Sequence, residues 1–345
     1  MKLNNPFAQK VIAYKIAFYL FIFVLCSTNK ISSQPTLIKN NNMKETSSPK
    51  STVSQTTYHT IKIKGLNIFY REAGDPAKPA ILLLHGFPSS SHMYRNLMDD
   101  LSSRYHLIAP DYPGFGLSSC PSVSEFSYTF DHLSAIMENF IDTLKLTRFS
   151  LYMQDYGGPV GFRIISKRPE LVQALIIQNA NTYIDGLGPD VQKIGALQAA
   201  GDAKGLDKAI DYMISLEGIK EQYVFGSGHQ EKISPDAYLM DHFLIEKEEK
   251  KEIQVTLFKN YGTNFPKYGE WQQYLHKHQP PTLITWGKND KIFTGAGALA
   301  YKRDLKNIEV HLFEGGHFLL EEYHQDIARL IDTFLQKNNI HSLTK

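Results

Sequence analysis

This sequence of 345 residues contains few cysteines and tryptophans, and neither sign of charge is in clear excess. Its two cysteines, Cys26 and Cys120, are too few for the disulfide framework that holds small secreted domains together. Lysine and arginine number 37 against 35 aspartates and glutamates, a formal net charge of +2. Because the charges are so evenly balanced, they provide no basic surface for nucleic acid, and we predict no nucleic-acid partner.

The amino terminus has basic residues followed by an apolar run. Lys2 and Lys10 precede the stretch IAFYLFIFVLC, which ends at Cys26. An apolar run of about ten residues after a basic start is typical of a secretory signal peptide. A membrane span needs about 20 apolar residues. We therefore predict a signal peptide over residues 1–33 and export to the periplasm or the outside of the cell. The alternative is an uncleaved segment that anchors the chain to a membrane.

Beyond a polar stretch, the apolar pattern becomes that of a folded domain. Residues 34–57 are rich in serine, threonine, asparagine and lysine, which predicts a disordered linker. From Tyr58 two alternating segments predict an antiparallel strand pair. Six short apolar runs predict buried parallel strands; they cover residues 80–84, 107–109, 149–153, 174–177, 282–286 and 309–313.

Helical stretches, such as residues 130–144 and 159–166, lie between the apolar runs. This alternation predicts an α/β fold with a mostly parallel eight-stranded sheet and helices on both faces, formed by residues 58–180 and 266–340. About 100 residues of helical character separate the fourth and fifth runs, too many for one crossover. We predict that residues 181–265 form an inserted helical cap over the carboxyl ends of the strands, where ligands bind in such sheets.

Four motifs each follow a predicted strand. They are HGFP at residues 85–88, QDYGG at 154–158, WGKND at 286–290 and EGGHF at 314–318. In the second motif a sharp turn into a helix presents Asp155 above the sheet edge, where the better-known form of this turn has serine. A helix N-cap is the alternative for this aspartate. Asp290 and His317 complete the chain order nucleophile, acid, histidine.

These motifs resemble those of the α/β-hydrolase superfamily, and within it the branch of haloalkane dehalogenases and epoxide hydrolases that use an aspartate nucleophile. The resemblance extends from Tyr58 to the carboxyl terminus. It implies the α/β-hydrolase fold with a cap inserted in the interval described above.

An aspartate nucleophile is suited to a particular chemistry. A carboxylate is ionised at neutral pH and can attack an sp³ carbon that bears a leaving group. Attack by Asp155 would form a covalent alkyl-enzyme ester. His317 would then activate a water molecule, and Asp290 would orient the imidazole. The backbone amides of Phe87 and Tyr156 would stabilise the oxyanion.

This chemistry needs no metal and no cofactor, only a small-molecule substrate and water. His276 and His278 lie two positions apart in the sequence rather than one helical turn apart. We therefore predict no metal site at that pair. The membrane becomes a partner only if the amino-terminal segment stays uncleaved.

The leaving group separates the two branches of the resemblance. Haloalkane dehalogenases usually hold halide with a tryptophan after the nucleophile, where this sequence has Tyr156, and some have asparagine where it has Phe87. Epoxide hydrolases commonly show HGFP and use cap tyrosines as acids. The cap candidates are Tyr183, Tyr212, Tyr223, Tyr238 and Tyr261, of which Tyr183 is the preferred one, and Tyr156 is a second possible leaving-group contact.

We therefore predict an epoxide-hydrolase-like enzyme that acts on a small apolar substrate. One alternative is a haloalkane dehalogenase with a non-standard halide site built on Tyr156. Another is a ligand-binding protein that kept the fold and lost turnover, because fold alone does not decide function. A carboxylesterase is the weakest alternative, since residue 155 is not serine.

Overall fold

An eight-stranded sheet forms the centre of the part of the chain that the computed structural model describes, residues 56–340 apart from the side chain of residue 248. Its strands are β1 (Thr57–Ile63), β2 (Leu66–Ala73), β3 (Ala80–Leu84), β4 (His106–Pro110), β5 (Phe149–Gln154), β6 (Val172–Gln178), β7 (Thr282–Gly287) and β8 (Ile308–Phe313). Their order in the sheet is β1-β2-β4-β3-β5-β6-β7-β8. The predicted α/β-hydrolase fold is confirmed.

Most neighbouring strands of the sheet are parallel, and the central strands are buried. β2 pairs antiparallel with β1 and with β4, and all pairs from β4 to β8 are parallel. β4, β5 and β7 are buried along their whole length, as parallel strands covered on both faces must be. All six apolar runs are strands. Because β3 and β5–β8 are parallel, the segments that follow them meet at one edge of the sheet.

Eleven α-helices lie within residues 56–340. They are α1 (Arg95–Leu101), α2 (Phe130–Thr143), α3 (Gly157–Lys167), α4 (Pro189–Ala199), α5 (Ala203–Ile214), α6 (Leu216–Val224), α7 (Pro235–Ile245), α8 (Glu248–Asn260), α9 (Tyr268–His278), α10 (Gly295–Ala300) and α11 (Leu320–Lys337). Short 3₁₀ helices cover Ser91–Tyr94, Pro169–Leu171, Ile184–Gly186, Gln230–Lys232, Tyr261–Lys267 and Tyr301–Arg303.

Two groups of helices pack on the sheet. α1 and α11 are joined by a two-pronged ion pair in which Arg95 donates to both oxygens of Glu321. α2 and α3 are joined by an ion pair of Arg163 with Asp131. α9 contacts α3 through the stacked rings of Trp271 and Phe162, whose centroids are 5.4 Å apart. α9 thus belongs with the core rather than with the helices inserted before it.

The interval between β6 and β7 contains helices α4–α8 ahead of α9. Helix α7 is tied to the core where Ser89, one residue beyond the HGFP motif, donates to Asp241 at 3.2 Å. Tyr223 of α6 donates to the second oxygen of Asp241 at 2.5 Å. The interval is helical as predicted, while the boundaries 181–265 and the role of a cap stay predictions.

The amino-terminal predictions fall almost wholly outside the described residues. The signal peptide over 1–33 lies outside them, and of the linker over 34–57 only the last two residues are described, with Thr57 beginning β1. Cys120 is an exposed free thiol. Between residues 56 and 340 we find no helix that is both long enough and apolar enough to cross a membrane.

We expect Ile284→Ala to destabilise the fold far more than Ile184→Ala. Ile284 of β7 has none of its surface exposed, whereas Ile184 is 63% exposed, so the same truncation leaves a cavity only at the first position. The core change should lower the free energy of unfolding by about 2–5 kcal/mol and the surface change by about 0.5 kcal/mol or less. Chemical denaturation measures both, and equal losses would contradict the placement of β7 in the core.

Candidate active site

A strained turn between β5 and α3 presents Asp155. Its φ of +48° is in the left-handed region, which is costly for a residue other than glycine. Gly157 makes the turn possible, since a Cβ there would lie 2.1 Å from the carbonyl oxygen of Leu84 in β3. The turn therefore holds Asp155 above the sheet edge with only 5% of its surface exposed.

The HGFP loop packs against this turn. The backbone N–H of Phe87 donates to Oδ1 of Asp155 at 2.8 Å. A Cβ at Gly86 would lie 2.3 Å from Cβ of Asp155, so the approach requires glycine. Burial lowers the pKa of His85 to about 4, and its Nε2 accepts a hydrogen bond from the backbone of Tyr112 at 3.2 Å. His85 is thus a neutral residue that shapes the loop.

His317 lies between the two predicted carboxylates. Its Nδ1 is 2.8 Å from Oδ2 of Asp290, and its Nε2 is 3.8 Å from Oδ2 of Asp155. The exposed fractions of Asp290 and His317 are 4% and 2%. The structure therefore brings together all three residues that the motifs single out, each at the carboxyl end of a different strand.

Burial and neighbouring charges shift the pKa values of Asp155 and His317. Burial raises the pKa of Asp155 to about 6, against the opposing effects of His317 and of hydrogen bonds from the backbone amides of Phe87 and Tyr156. Burial alone would lower the pKa of His317, but the charge and hydrogen bond of Asp290, together with the charge of Asp155, raise it above 6.5. Asp155 is thus mostly a carboxylate at neutral pH, with the amides of Phe87 and Tyr156 directed at it.

Two supporting residues were missed by sequence reasoning. Asn179, directly after β6, donates to Oδ2 of Asp290 at 2.7 Å. The side-chain nitrogen of Gln154 lies 3.0 Å from Nε2 of His317. With Nδ1–H given to Asp290, Nε2 of His317 is the acceptor in that contact. The position of Asn179 at a strand end was a usable signal, whereas nothing in the sequence indicates the contact of Gln154.

A cavity that Asp155 helps to line lies beside the turn after β5. Helices of the inserted interval form much of its wall, and a wider, more open cavity shares Asp190, Ile194 and Met213 with it. The lining residues are mostly apolar; they are Phe87, Asp155, Tyr156, Asp190, Val191, Ile194, Met213, Gln222, Phe258, Tyr261, Ile292 and Phe293.

Two tyrosines, Tyr156 and Tyr261, line this wall. Their rings stack with centroids 5.8 Å apart, and the hydroxyl of Tyr156 makes no hydrogen bond with the described residues. The hydroxyl of Tyr261 has that of Tyr268 as its neighbour. Burial raises the pKa of Tyr156 and of Tyr261 well above 10, helped by Tyr268 in the case of Tyr261 and by the charge of Asp155 in both. Both phenols therefore keep their protons at neutral pH.

Tyr183, the preferred cap tyrosine from the sequence, is not at this cavity. Its hydroxyl donates to Asp304 at 2.8 Å, and its ring packs edge-on against Tyr301. The predicted contact of Tyr183 with a leaving group has no support in this geometry, because Asp304 already takes its hydrogen bond.

Neither tryptophan lines the cavity. The indole N–H of Trp286 donates to the backbone of Phe293 at 2.9 Å, inside the core. Trp271 is fully buried in α9, against Phe162. The usual indole donors for a halide ion are thus absent from the described wall.

Comparison with known proteins gives the family. The alpha/beta hydrolase fold family matches residues 79–200. An uncharacterized hydrolase of Saccharomyces cerevisiae is 38% identical over 287 residues, which cover 81% of this chain and 98% of that protein. The chain belongs to the α/β-hydrolase family and is an enzyme of that class.

Two further similarities concern the branch. Epoxide hydrolase 4 of Mus musculus is 36% identical over 122 residues, which cover 35% of this chain and 34% of that protein. The solved structure of a haloalkane dehalogenase DbeA-M1 loop variant from Bradyrhizobium elkanii matches with a TM-score of 0.68 at 22% identity, covering 82% of this chain and 98% of that one. The predicted resemblance to the branch of haloalkane dehalogenases and epoxide hydrolases is confirmed.

We expect Asp290→Asn to lower the pKa of His317, because the charge and hydrogen bond of Asp290 raise it in the wild type. NMR titration of ¹⁵N-labelled histidine measures the shift, with His317→Gln to assign the signal. The matched control is Asp304→Asn, which removes a carboxylate bound to Tyr183 instead. An unchanged or raised pKa in Asp290→Asn would contradict the arrangement.

Proposed function

We propose that this hydrolase opens epoxides through a covalent ester on Asp155 and releases a diol. The observation that carries the proposal is the position of two tyrosine hydroxyls, the unpartnered one of Tyr156 and that of Tyr261, on the same cavity wall as Asp155. Opening an epoxide needs a nucleophile that attacks a ring carbon, together with hydrogen-bond donors for the ring oxygen. This wall offers both.

In the first step, Oδ2 of Asp155 attacks an epoxide carbon and forms an ester bond while the carbon–oxygen bond of the ring breaks. The electron pair moves to the ring oxygen, which takes a proton from Tyr156 or Tyr261. Because an alkoxide is a much stronger base than a phenolate, this transfer is favourable even for a phenol of raised pKa. The product is a hydroxyalkyl ester of Asp155.

In the second step, His317 takes a proton from water, and the hydroxide attacks the ester carbonyl of Asp155. The amides of Phe87 and Tyr156 are suited to holding the oxyanion, the former already 2.8 Å from Oδ1. One such donor is worth about 3 kcal/mol in comparable enzymes. Collapse releases the diol, restores the carboxylate, and lets the proton on His317 return to the phenolate. The sum is epoxide plus water to diol.

We further propose that the inserted helices act as a cap that selects the substrate. α4, α5, α6 and α8 contribute Asp190, Ile194, Met213, Gln222 and Phe258 to the wall, while the core contributes Asp155. Haloalkane dehalogenation is the second candidate, with the free hydroxyl of Tyr156 as its halide donor.

The test is the intact mass of the His317→Gln variant after separate incubation with styrene oxide and with a bromoalkane. Without its base the enzyme should form the ester and fail to hydrolyse it. A gain equal to the whole epoxide is expected. A gain equal to the alkyl group without bromine would favour dehalogenation instead.

The control for that test is the double variant Asp155→Ala/His317→Gln, which should gain no mass with either compound. An adduct that persists without Asp155 would assign the nucleophile to another residue. No adduct in His317→Gln, with a wild type that turns over neither compound, would favour the ligand-binding alternative.

We expect Tyr156→Phe and Tyr261→Phe each to lower kcat for styrene oxide, and the double variant to lose about 100-fold or more, the usual worth of a general acid. Tyr183→Phe is the matched control, because it removes a hydroxyl bound to Asp304 away from the cavity. Initial rates of diol formation measure all four variants. Full activity of the double variant would contradict the assigned donors.

A further inference from the structure

One polar side chain on the cavity wall, Gln222 of α6, has no part in the chemistry above. It is 3% exposed. Its Nε2 donates to the backbone carbonyls of Met213 at 3.2 Å and Gly218 at 3.3 Å. These contacts use both amide N–H groups and so fix which end of the amide is the oxygen.

The oxygen Oε1 of Gln222 accepts no hydrogen bond within the described residues. Buried polar atoms of folded proteins nearly always have a partner, and an exception calls for an explanation. Packing does not supply one here, since Met213 and Ile194 on the same wall are apolar. A ligand group that donates a hydrogen bond would satisfy Oε1.

The part of the cavity wall formed by α4 also presents a hydrogen-bond acceptor. Oδ2 of Asp190 on α4 is paired with Lys291 at 3.4 Å, and a carboxylate oxygen can accept a further hydrogen bond. Lys291 is shared with Glu221, at 2.7 Å, and does not line this cavity. The wall built from α4 and α6 therefore offers acceptors, whereas Tyr156 and Tyr261 offer donors.

A substrate that satisfies both parts has an oxygen acceptor at its reacting end and a hydrogen-bond donor elsewhere. We infer that the substrates of this enzyme are epoxides with a free hydroxyl group remote from the ring, and that Gln222 determines this specificity by accepting the hydroxyl hydrogen bond. The inference rests on the proposed function. No covalent change at Gln222 is involved.

The test compares pairs of substrates. Terminal 1,2-epoxyalkanes with a hydroxyl at the far end, in a series of chain lengths, are each measured against their methyl ethers, which cannot donate. We expect the wild type to prefer the hydroxy compound of best length by about tenfold or more in kcat/KM, mostly through KM, as sites built around one hydrogen bond do. Gln222→Leu should lose that preference.

The matched control is Gln254→Leu. Gln254 in α8 is also fully buried with an unpartnered Oε1, yet it does not line the cavity, so its variant should keep the preference. A wild type without preference for any hydroxy-epoxide overturns the inference, as does a Gln222→Leu variant that keeps it. Should Gln222→Leu not fold, Gln222→Met replaces it, because methionine also lacks the amide oxygen.

Failure of the proposed function gives a different result. In that case neither the hydroxy compounds nor the ethers are hydrolysed, and His317→Gln gains no epoxide mass. Turnover of both series at equal rates refutes the inference and leaves the proposed function standing.

Discussion

The architecture of the site depends on the close approach of two chain segments, the turn that holds Asp155 and the end of β3 with the HGFP loop that follows it. The left-handed conformation of Asp155 costs about 1–3 kcal/mol, and surrounding contacts must hold it in place. Gly157 lets α3 begin against the end of β3, and Gly86 lets the HGFP loop lie on Asp155 itself. Any side chain at either glycine would separate Asp155 from the amide of Phe87. The same closeness that strains the turn therefore brings that amide within hydrogen-bond distance of Asp155.

The electrostatics follow from that geometry. Two carboxylates and one imidazole are buried within a few ångströms of each other. Both carboxylates raise the pKa of His317, and His317 opposes the rise that burial causes in the pKa of Asp155. Asp290 is held by Asn179 and by the backbone N–H of Ile292, and it keeps the Nδ1 side of His317 occupied. Nε2 is left on the side of Asp155. The low exposure of all three residues strengthens these interactions and keeps bulk water from competing.

Much of this could be predicted from the sequence, and the failures have a common cause. Strands show as short apolar runs, and parallel strands place the residues after them at one edge, so Asp155, Asp290 and His317 could be found locally. Tyr183 was misjudged because its hydroxyl goes to Asp304, which lies 121 residues away in the sequence. Gln154 and Gln222 were missed because an amide acquires its role only from neighbours in space. Tyr261 was one of several equivalent tyrosines until the 3₁₀ helix Tyr261–Lys267 placed it beside Tyr156.

The division of the cavity between two stretches of chain has an evolutionary consequence. Asp155, Asp290 and His317 come from strand ends of the sheet, whereas half of the residues that line the cavity come from α4, α5, α6 and α8. Substitutions in that interval can therefore change which molecules bind without moving Asp155, Asp290 or His317. Descendants of one ancestor could then diverge in substrate range while Asp155, Asp290 and His317 stay unchanged.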